Sequence, residues 1–357
     1  MSDFLVHKEK FLRFLDTISN EDKHVGIVSH ANCVDGLASA VLMVEILKKE
    51  KPFLKIDIAF ITYTSGILDN ISEKFENLGI KKVFVLDVNA DATLYEEFER
   101  FRNKLDVFFI DHHPINPNFK IGHKEVKTPS YDCTALTLFR FGEDIIDYNE
   151  WSWLACVASI SEFSYKNEDN LNFIQSYYPD FNLNNVEFCE IFKMVTKMNS
   201  LVTYYSKDSL KAYEVLINRN FEKIDEISRE ISLELDRCLN DFEKNSENYF
   251  DGHLLFYFFK SKFSLSSTLS TIMSVRHKGS TIIIISEIEK TNMLKVSARN
   301  NGENLIYPMN EMLRAGINGL NNALAGGHNP ASGGSFLAKD LSKFKEQILN
   351  FVKDKVN

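Results

Sequence analysis

The chain has 357 residues, 44% of them apolar and 25% charged, and a formal net charge of −9. That length exceeds one ordinary core and predicts two domains or three, in a globular protein. No apolar run approaches the ~18–20 residues that span a bilayer, and the acidic balance argues against a large nucleic-acid footprint while leaving room for a small anion in a local basic pocket.

The opening segment, MSDFLVHKEKFLRFLD, mixes charges with helically spaced apolar residues and lacks the apolar core of a secretion signal. HVGIVSH (24–30) is a short apolar run, and DGLASAVLMVEILKKE (35–50) has helical spacing with an acid at its start. FLKIDIAFIT (53–62) reads as a strand and GILDNISEKFENLG (66–79) as a helix. KKVFVLDV (81–88), a helix through DATLYEEFERFRNK, and LDVFFIDHH (105–113) follow. This alternation marks a parallel sheet with helices on both faces. Residues 134–220 look mainly helical, and 221–242 repeat apolar residues at three- and four-residue steps, one amphipathic helix. A second α/β pattern then starts: HLLFYFF (253–259), a helix near 264–277, STIIIISEI (280–288), MLKVSAR (293–299), and helices near 308–322 and 338–354.

Cys33, Cys133, Cys156, Cys189 and Cys238 are odd in number, scattered and never in a CxxC pair, so they read as reduced thiols. The expectation is a cytoplasmic protein without membrane attachment. GxGxxG, GxxxxGK(S/T) and GxSxG are all absent, which removes support for dinucleotide-cofactor, P-loop and serine-hydrolase chemistry.

In an open parallel sheet, ligands sit beyond the carboxyl ends of the strands. Three strands here end on groups that bind metals: the first on His30, the next on Asp87, and the third on Asp111 and His112. With Asp35 and His113 they supply carboxylates and imidazoles of the kind that hold Mn²⁺ or Mg²⁺, one carboxylate bridging a pair. Such a pair clamps a phosphoryl group and activates water.

SHANCVDGLASA (29–40), FVLDVNAD, FFIDHHP and the distal AGGHNPASGGSF (325–336), in that order, resemble the DHH phosphoesterase superfamily with a C-terminal DHHA1 domain. The branch suggested is that of nanoRNases, oligoribonucleases and nucleotide phosphatases. The resemblance implies a DHH domain over 1–195, a helical connector over 196–248 and a smaller α/β DHHA1 domain over 249–357, with a cleft between the two domains. It implies that His30 binds one metal and Asp35 the other, that Asp87 bridges, that His112 ligates the second ion, and that His113 points at the scissile phosphate. Asp111 would brace the histidine pair, fixing tautomer and orientation. Distally, it gives Gly326 and Gly327 close approach to a ligand, and His328 and Arg299 a grip on phosphate or the nucleotide end. One or two Mn²⁺ or Mg²⁺ ions are the implied cofactors.

Two departures stand out. The family's first motif has a second aspartate, in whose place stands Cys33 or Asn32; a thiolate would shift preference toward zinc. The fourth-motif aspartate is missing: Ser159 occupies its position in CVASISEFSY (156–165), and the offset of Glu162 argues against it as a direct substitute. The implied activity is hydrolysis of short oligonucleotides or nucleotides (nanoRNA, dinucleotides or 3′-phosphoadenosine 5′-phosphate). The alternatives are a weakly active or inactive nucleotide-binding regulator and a single-strand-specific exonuclease. A homodimer is left open.

Overall fold

The structure is a computed structural model that describes residues 3–301 and 307–356. The chain divides into two compact units, Met1–Ser228 and Arg229–Asn357.

The first unit runs α1 (Asp3–Asp16), β1 (His24–His30), α2 (Val34–Glu50), β2 (Lys55–Ile61), α3 (Ile67–Asn77), β3 (Lys82–Leu86), α4 (Ala90–Thr93), α5 (Tyr95–Lys104), β4 (Asp106–Asp111), β5 (Glu125–Lys127), α6 (Thr134–Phe141), α7 (Tyr148–Ser161), α8 (Glu168–Tyr177), α9 (Glu190–Tyr204) and α10 (Ser209–Ile217). Its five strands pair in parallel in the order β2-β1-β3-β4-β5. Alternate side chains of β3 and β4 go to opposite faces. Val83, Val85, Val107 and Phe109 pack with Phe75, Phe98 and Phe101 of α3 and α5. Phe84 and Phe108 meet Phe11 and Phe14 of α1 on the other side, with ring centroids 5.2–6.4 Å apart. Burial on both faces explains why these strands are continuous apolar runs instead of alternating ones.

Chain order reverses at β1, which lies between β2 and β3. The carboxyl ends of β1 and β3 therefore flank the switch point, where a crevice opens in folds of this kind. Gly36 lets α2 begin hard against β1: a Cβ there would stand 2.2 Å from the His30 carbonyl oxygen. Ser29 Oγ donates to that glycine's carbonyl at 2.7 Å, locking the turn.

Helix α11 (Phe221–Asn245) carries the unit boundary. The second unit contains β6 (Glu247–Tyr249), β7 (Leu254–Phe259), α12 (Ser266–Arg276), β8 (Thr281–Glu287), β9 (Met293–Asn300), α13 (Met309–Gly316), β10 (Leu324–His328), β11 (Ala331–Leu337) and α14 (Leu341–Val356). Its mixed sheet has the order β10-β11-β9-β8-β7-β6, with β7 and β8 parallel and the other pairs antiparallel. Phe336, Phe344, Met312 and Ile283 are among its core residues. The helix expected over 308–322 is shorter: it stops at Gly316, and Gly319 and Asn322 then take left-handed backbone. Among the described residues no helix is long and apolar enough to cross a membrane.

Candidate metal centre

The ends of β1, β3 and β4 bring His30, Cys33, Asp87, His112 and His113 together. His30, Cys33 and Asp87 each offer a donor atom within 4.8 Å of the others, and so do Asp87, His112 and His113. The two triads share Asp87. That residue follows β3 in a left-handed conformation (φ 56°), an uncommon state for a side-chain-bearing residue and one that concentrates at functional sites. Its amide donates to Ile110 O at 3.0 Å, which holds the turn.

Cys33 is the N-cap of α2. Its Sγ accepts from Gly36 N at 3.1 Å, donates to Asp87 Oδ2 at 3.1 Å and lies 3.2 Å from His30 Nδ1. Asn32 stands beside it in left-handed backbone (φ 66°). Burial, reinforced by the charges of Asp87 and Asp35, pushes the Cys33 thiol well up.

Asp35 is fully buried, yet it stands outside both triads. Its carboxylate takes the start of α6, accepting from Thr134 N at 2.8 Å, Ala135 N at 2.7 Å and Cys133 Sγ at 3.2 Å. His112 Nε2 lies 3.7 Å away. Burial and the charge of Asp87 push the Asp35 carboxyl up to about 8, with His112 opposing.

His112 lies between Asp35 and Asp87, 3.3 Å from Asp87 Oδ1. Burial works against its charge, but Asp87 and Asp35 win and raise it to about 10. Burial likewise opposes charge on Asp87, and His112 and His30 hold it well below the usual carboxylate range. A proton on His112 thus supplies positive charge where two buried carboxylates need it. Asp87 Oδ1 and His112 Nδ1 have no hydrogen-bond partner. Orphaned buried donors and acceptors are costly, and here they belong to an imidazole and a carboxylate beside the Cys33 thiol. These residues fit divalent cations, with room in the donor set for two ions sharing Asp87.

Asp111 turns away from the triads. It holds His113 by an Oδ1···Nδ1 contact of 2.7 Å and accepts the His113 amide on Oδ2 at 3.2 Å. That leaves Nε2 of His113 as its outward nitrogen. Lys127 Nζ, almost wholly buried, donates to Asp111 Oδ2 at 2.6 Å and to Asp91 Oδ1 at 2.9 Å. It is the buried cation behind the histidine pair, and nothing in its three-residue strand signals this from sequence.

Ser159 is buried and bonded to Ser164, so it offers the centre no oxygen. Glu162, at the C-cap of α7, is half-buried and its carboxylate has no hydrogen bond or ion pair among the described residues. Burial and the charge of Asp87 push its pKa up, while His112, His113 and His30 pull it back. Its charge therefore acts on the centre, although it joins neither triad. Tyr63 covers His30, ring centroids 5.2 Å apart, and accepts from Asn89 N at 3.1 Å. A cavity of about 590 Å³ begins at His113 and Pro114 and reaches Arg140 on α6.

In the second unit, Arg299 of β9 pairs in register with Ala331, which pairs with His328. Arg299 is half-buried, and its Nε has no hydrogen-bond partner. Gly327 takes φ +135°, and a Cβ there would stand 2.6 Å from Ala331 O, whereas Gly326 faces open space. The side chain of His328 lies outside the described residues.

Residues 24–159 match the DHH family, N-terminal domain. Among solved structures, RecJ of Thermus thermophilus, determined with Mn²⁺, superposes with a TM-score of 0.68 at 13% identity, over 98% of this chain and 55% of that one. The present chain thus spans about half the length of that protein. An exonuclease RecJ bound to manganese gives 0.66 at 13% identity, over 96% and 93% of the two chains. An exopolyphosphatase-related protein from Bacteroides fragilis gives 0.55 at 16%, over 99% and 98%. No curated protein sequence matches the chain. At such identities the likeness is one of fold. The matched segment lies in the first unit and includes the DHH tripeptide at the end of β4, so residues 24–159 are similar to the DHH family's N-terminal domain, and the fold is shared with these structures.

Proposed function

We propose that this protein is a divalent-metal-dependent phosphoesterase that hydrolyses short oligonucleotides or nucleotides, with Mn²⁺ or Mg²⁺ as its ions. The observation that carries this reading is the pair of donor triads sharing Asp87 at the switch point of a parallel sheet. Bound there, the ions would polarise a phosphoryl oxygen and lower the pKa of a water. The chain's own part is orientation and charge. Asp87 would help hold both ions, with His30 and Cys33 available to one and His112 to the other. Asp111, held by Lys127, fixes His113 through Nδ1 and leaves Nε2 to face the phosphate or an ion. Arg299, beside the glycine hairpin within the second unit, suits an anionic group. Free cysteines fit a cytoplasmic setting.

The test is release of label from a 5′-labelled RNA dinucleotide with Mn²⁺. The wild type is expected to turn over, and His112→Ala to fall about a hundredfold or more, ~2.7 kcal/mol of barrier. Equal background release from both sinks the reading. Cys33 in the place of a carboxylate, with Ser159 unavailable, favours a second reading, a nucleotide-binding regulator; it would show the same nucleotide affinity with and without EDTA.

Cys33 has its own readout. Co²⁺ bound to the wild type is expected to show thiolate-to-metal charge-transfer absorption, lost in Cys33→Asp. The same variant should bind Mn²⁺ about tenfold more tightly, since a hard oxygen replaces a soft sulfur. A Co²⁺ spectrum without that band removes Cys33 from the ligand set.

A further inference from the structure

The 590 Å³ cavity beside His113 is large enough for a nucleotide-sized ligand and lies wholly within the first unit. Its wall exposes three large apolar side chains in one place, Ile115 (44%), Ile121 (46%) and Tyr131 (53%). Apolar groups scattered singly over a surface need no explanation, but a cluster of them lining a cavity marks a binding surface. The opposite requirement, charge, is met by Arg140. This residue sits in the last turn of α6, half-buried, its guanidinium 5.2 Å from the Phe173 ring. One arm donates to Asp169 O at 3.2 Å, and among the described residues no carboxylate comes within ion-pair distance. Asp132, Asp169 and Glu143 act on it only through space, so a partly desolvated guanidinium with no carboxylate in direct contact is left open to a phosphate.

The cavity also holds Asp132, whose Oδ1 accepts from Asn170 Nδ2 at 3.1 Å. Burial raises the Asp132 carboxyl and lowers the Arg140 guanidinium from their ordinary values, so the pocket favours less charge on its acid and an anion near its base.

We infer that this cavity is a substrate subsite: it seats the nucleotide adjoining the scissile bond, with its base against Tyr131 and Ile115 and a second, uncleaved phosphate on Arg140. The inference rests on the phosphoesterase reading only for the word scissile. It narrows the substrate to a short oligonucleotide with a phosphate beyond the one that is cut. That phosphate is terminal, at the 5′ or the 3′ end, and the two sources share one chemistry.

The experiment is calorimetry in EDTA, where no turnover occurs, with the dinucleotides pApA, ApAp and ApA. The wild type is expected to bind either pApA or ApAp at least tenfold more tightly than ApA, and the better of the two identifies the end that is held. Arg140→Gln keeps a donor for Asp169 O and should erase that preference. Tyr131→Ala, at an exposed position, should weaken binding of all three about fivefold or more while the preference persists, because stacking on an aromatic ring is sequence-tolerant. A preference that survives in Arg140→Gln, or none in the wild type, overturns the subsite. Binding that follows this pattern without hydrolysis in Mn²⁺ sinks the phosphoesterase reading and leaves the pocket standing. Hydrolysis without an Arg140-dependent preference does the reverse.

Discussion

Replacing Asp87 by Ala is expected to lower turnover of an RNA dinucleotide about a thousandfold, ~4 kcal/mol of barrier, and to abolish tight Mn²⁺ binding at both triads together. The argument is that Asp87 is counted in each: remove it and His30 and Cys33 keep two donors, His112 and His113 two more, with no carboxylate between them. No other member of the cluster has that double position. Ala also removes the side chain from a left-handed residue, where an uncommitted Cβ costs ~1–2 kcal/mol, so Asp87→Asn is the necessary control. Asparagine tolerates the conformation and keeps the shape, but it cannot bridge as an anion. Both variants should lose both ions in a calorimetric titration with Mn²⁺. Retention of one tight ion by Asp87→Asn would mean that the two triads work independently, and the shared-ligand account would fail.

The second large effect falls on stability. Lys127→Met is expected to lower the unfolding free energy by about 3–5 kcal/mol, the usual cost of stripping one partner from a buried ion pair. Lys127 compensates two fully buried carboxylates at once, Asp91 and Asp111. Methionine matches the length and supplies no charge. Asp91 retains the amide of Asn116, and Asp111 retains His113, so neither acid is left wholly bare. Urea denaturation of the two proteins is the measurement, and a loss below about 1 kcal/mol would show that the acids find other compensation. Adding Asp91→Asn to Lys127→Met should recover part of the loss, because one of the stranded charges disappears.

Much of the first unit was legible because its strands obey a simple rule. A strand buried on both faces is a short, largely apolar run, and HVGIVSH, KKVFVLDV and LDVFFIDHH contain such runs, the strands themselves spanning His24–His30, Lys82–Leu86 and Asp106–Asp111. The gathering of candidate donors was legible for the same reason: residues that follow the strands of a parallel sheet are drawn to one rim. What could not be read depends on distance in sequence. Strand β5 has three residues and exists because it pairs with β4. The hairpin β10–β11 is rich in glycine, a poor strand former, and looks like a surface turn until β9 is there to pair with it. The continuous helix expected through DATLYEEFERFRNK breaks at Leu94 into α4 and α5. Lys127, Arg140 and Glu162 acquire their meaning from partners far away in the chain, and their own neighbourhoods carry no motif. Asp35 is the instructive case. The motif that suggests it as a ligand is local, whereas the two amides that take up its oxygens come from residues 99 and 100 positions later.

That long-distance tie has a consequence for how the protein is made. Until Thr134 and Ala135 have left the ribosome, the Asp35 carboxyl has no backbone donors there, and enclosing it beneath α2 would cost more than leaving it wet. A nascent chain ending before Cys133 therefore holds β1, β3 and β4 with an unfinished, hydrated rim. The centre is then expected to close late in biogenesis, and a fragment cut at residue 130 should remain open to protease around α2.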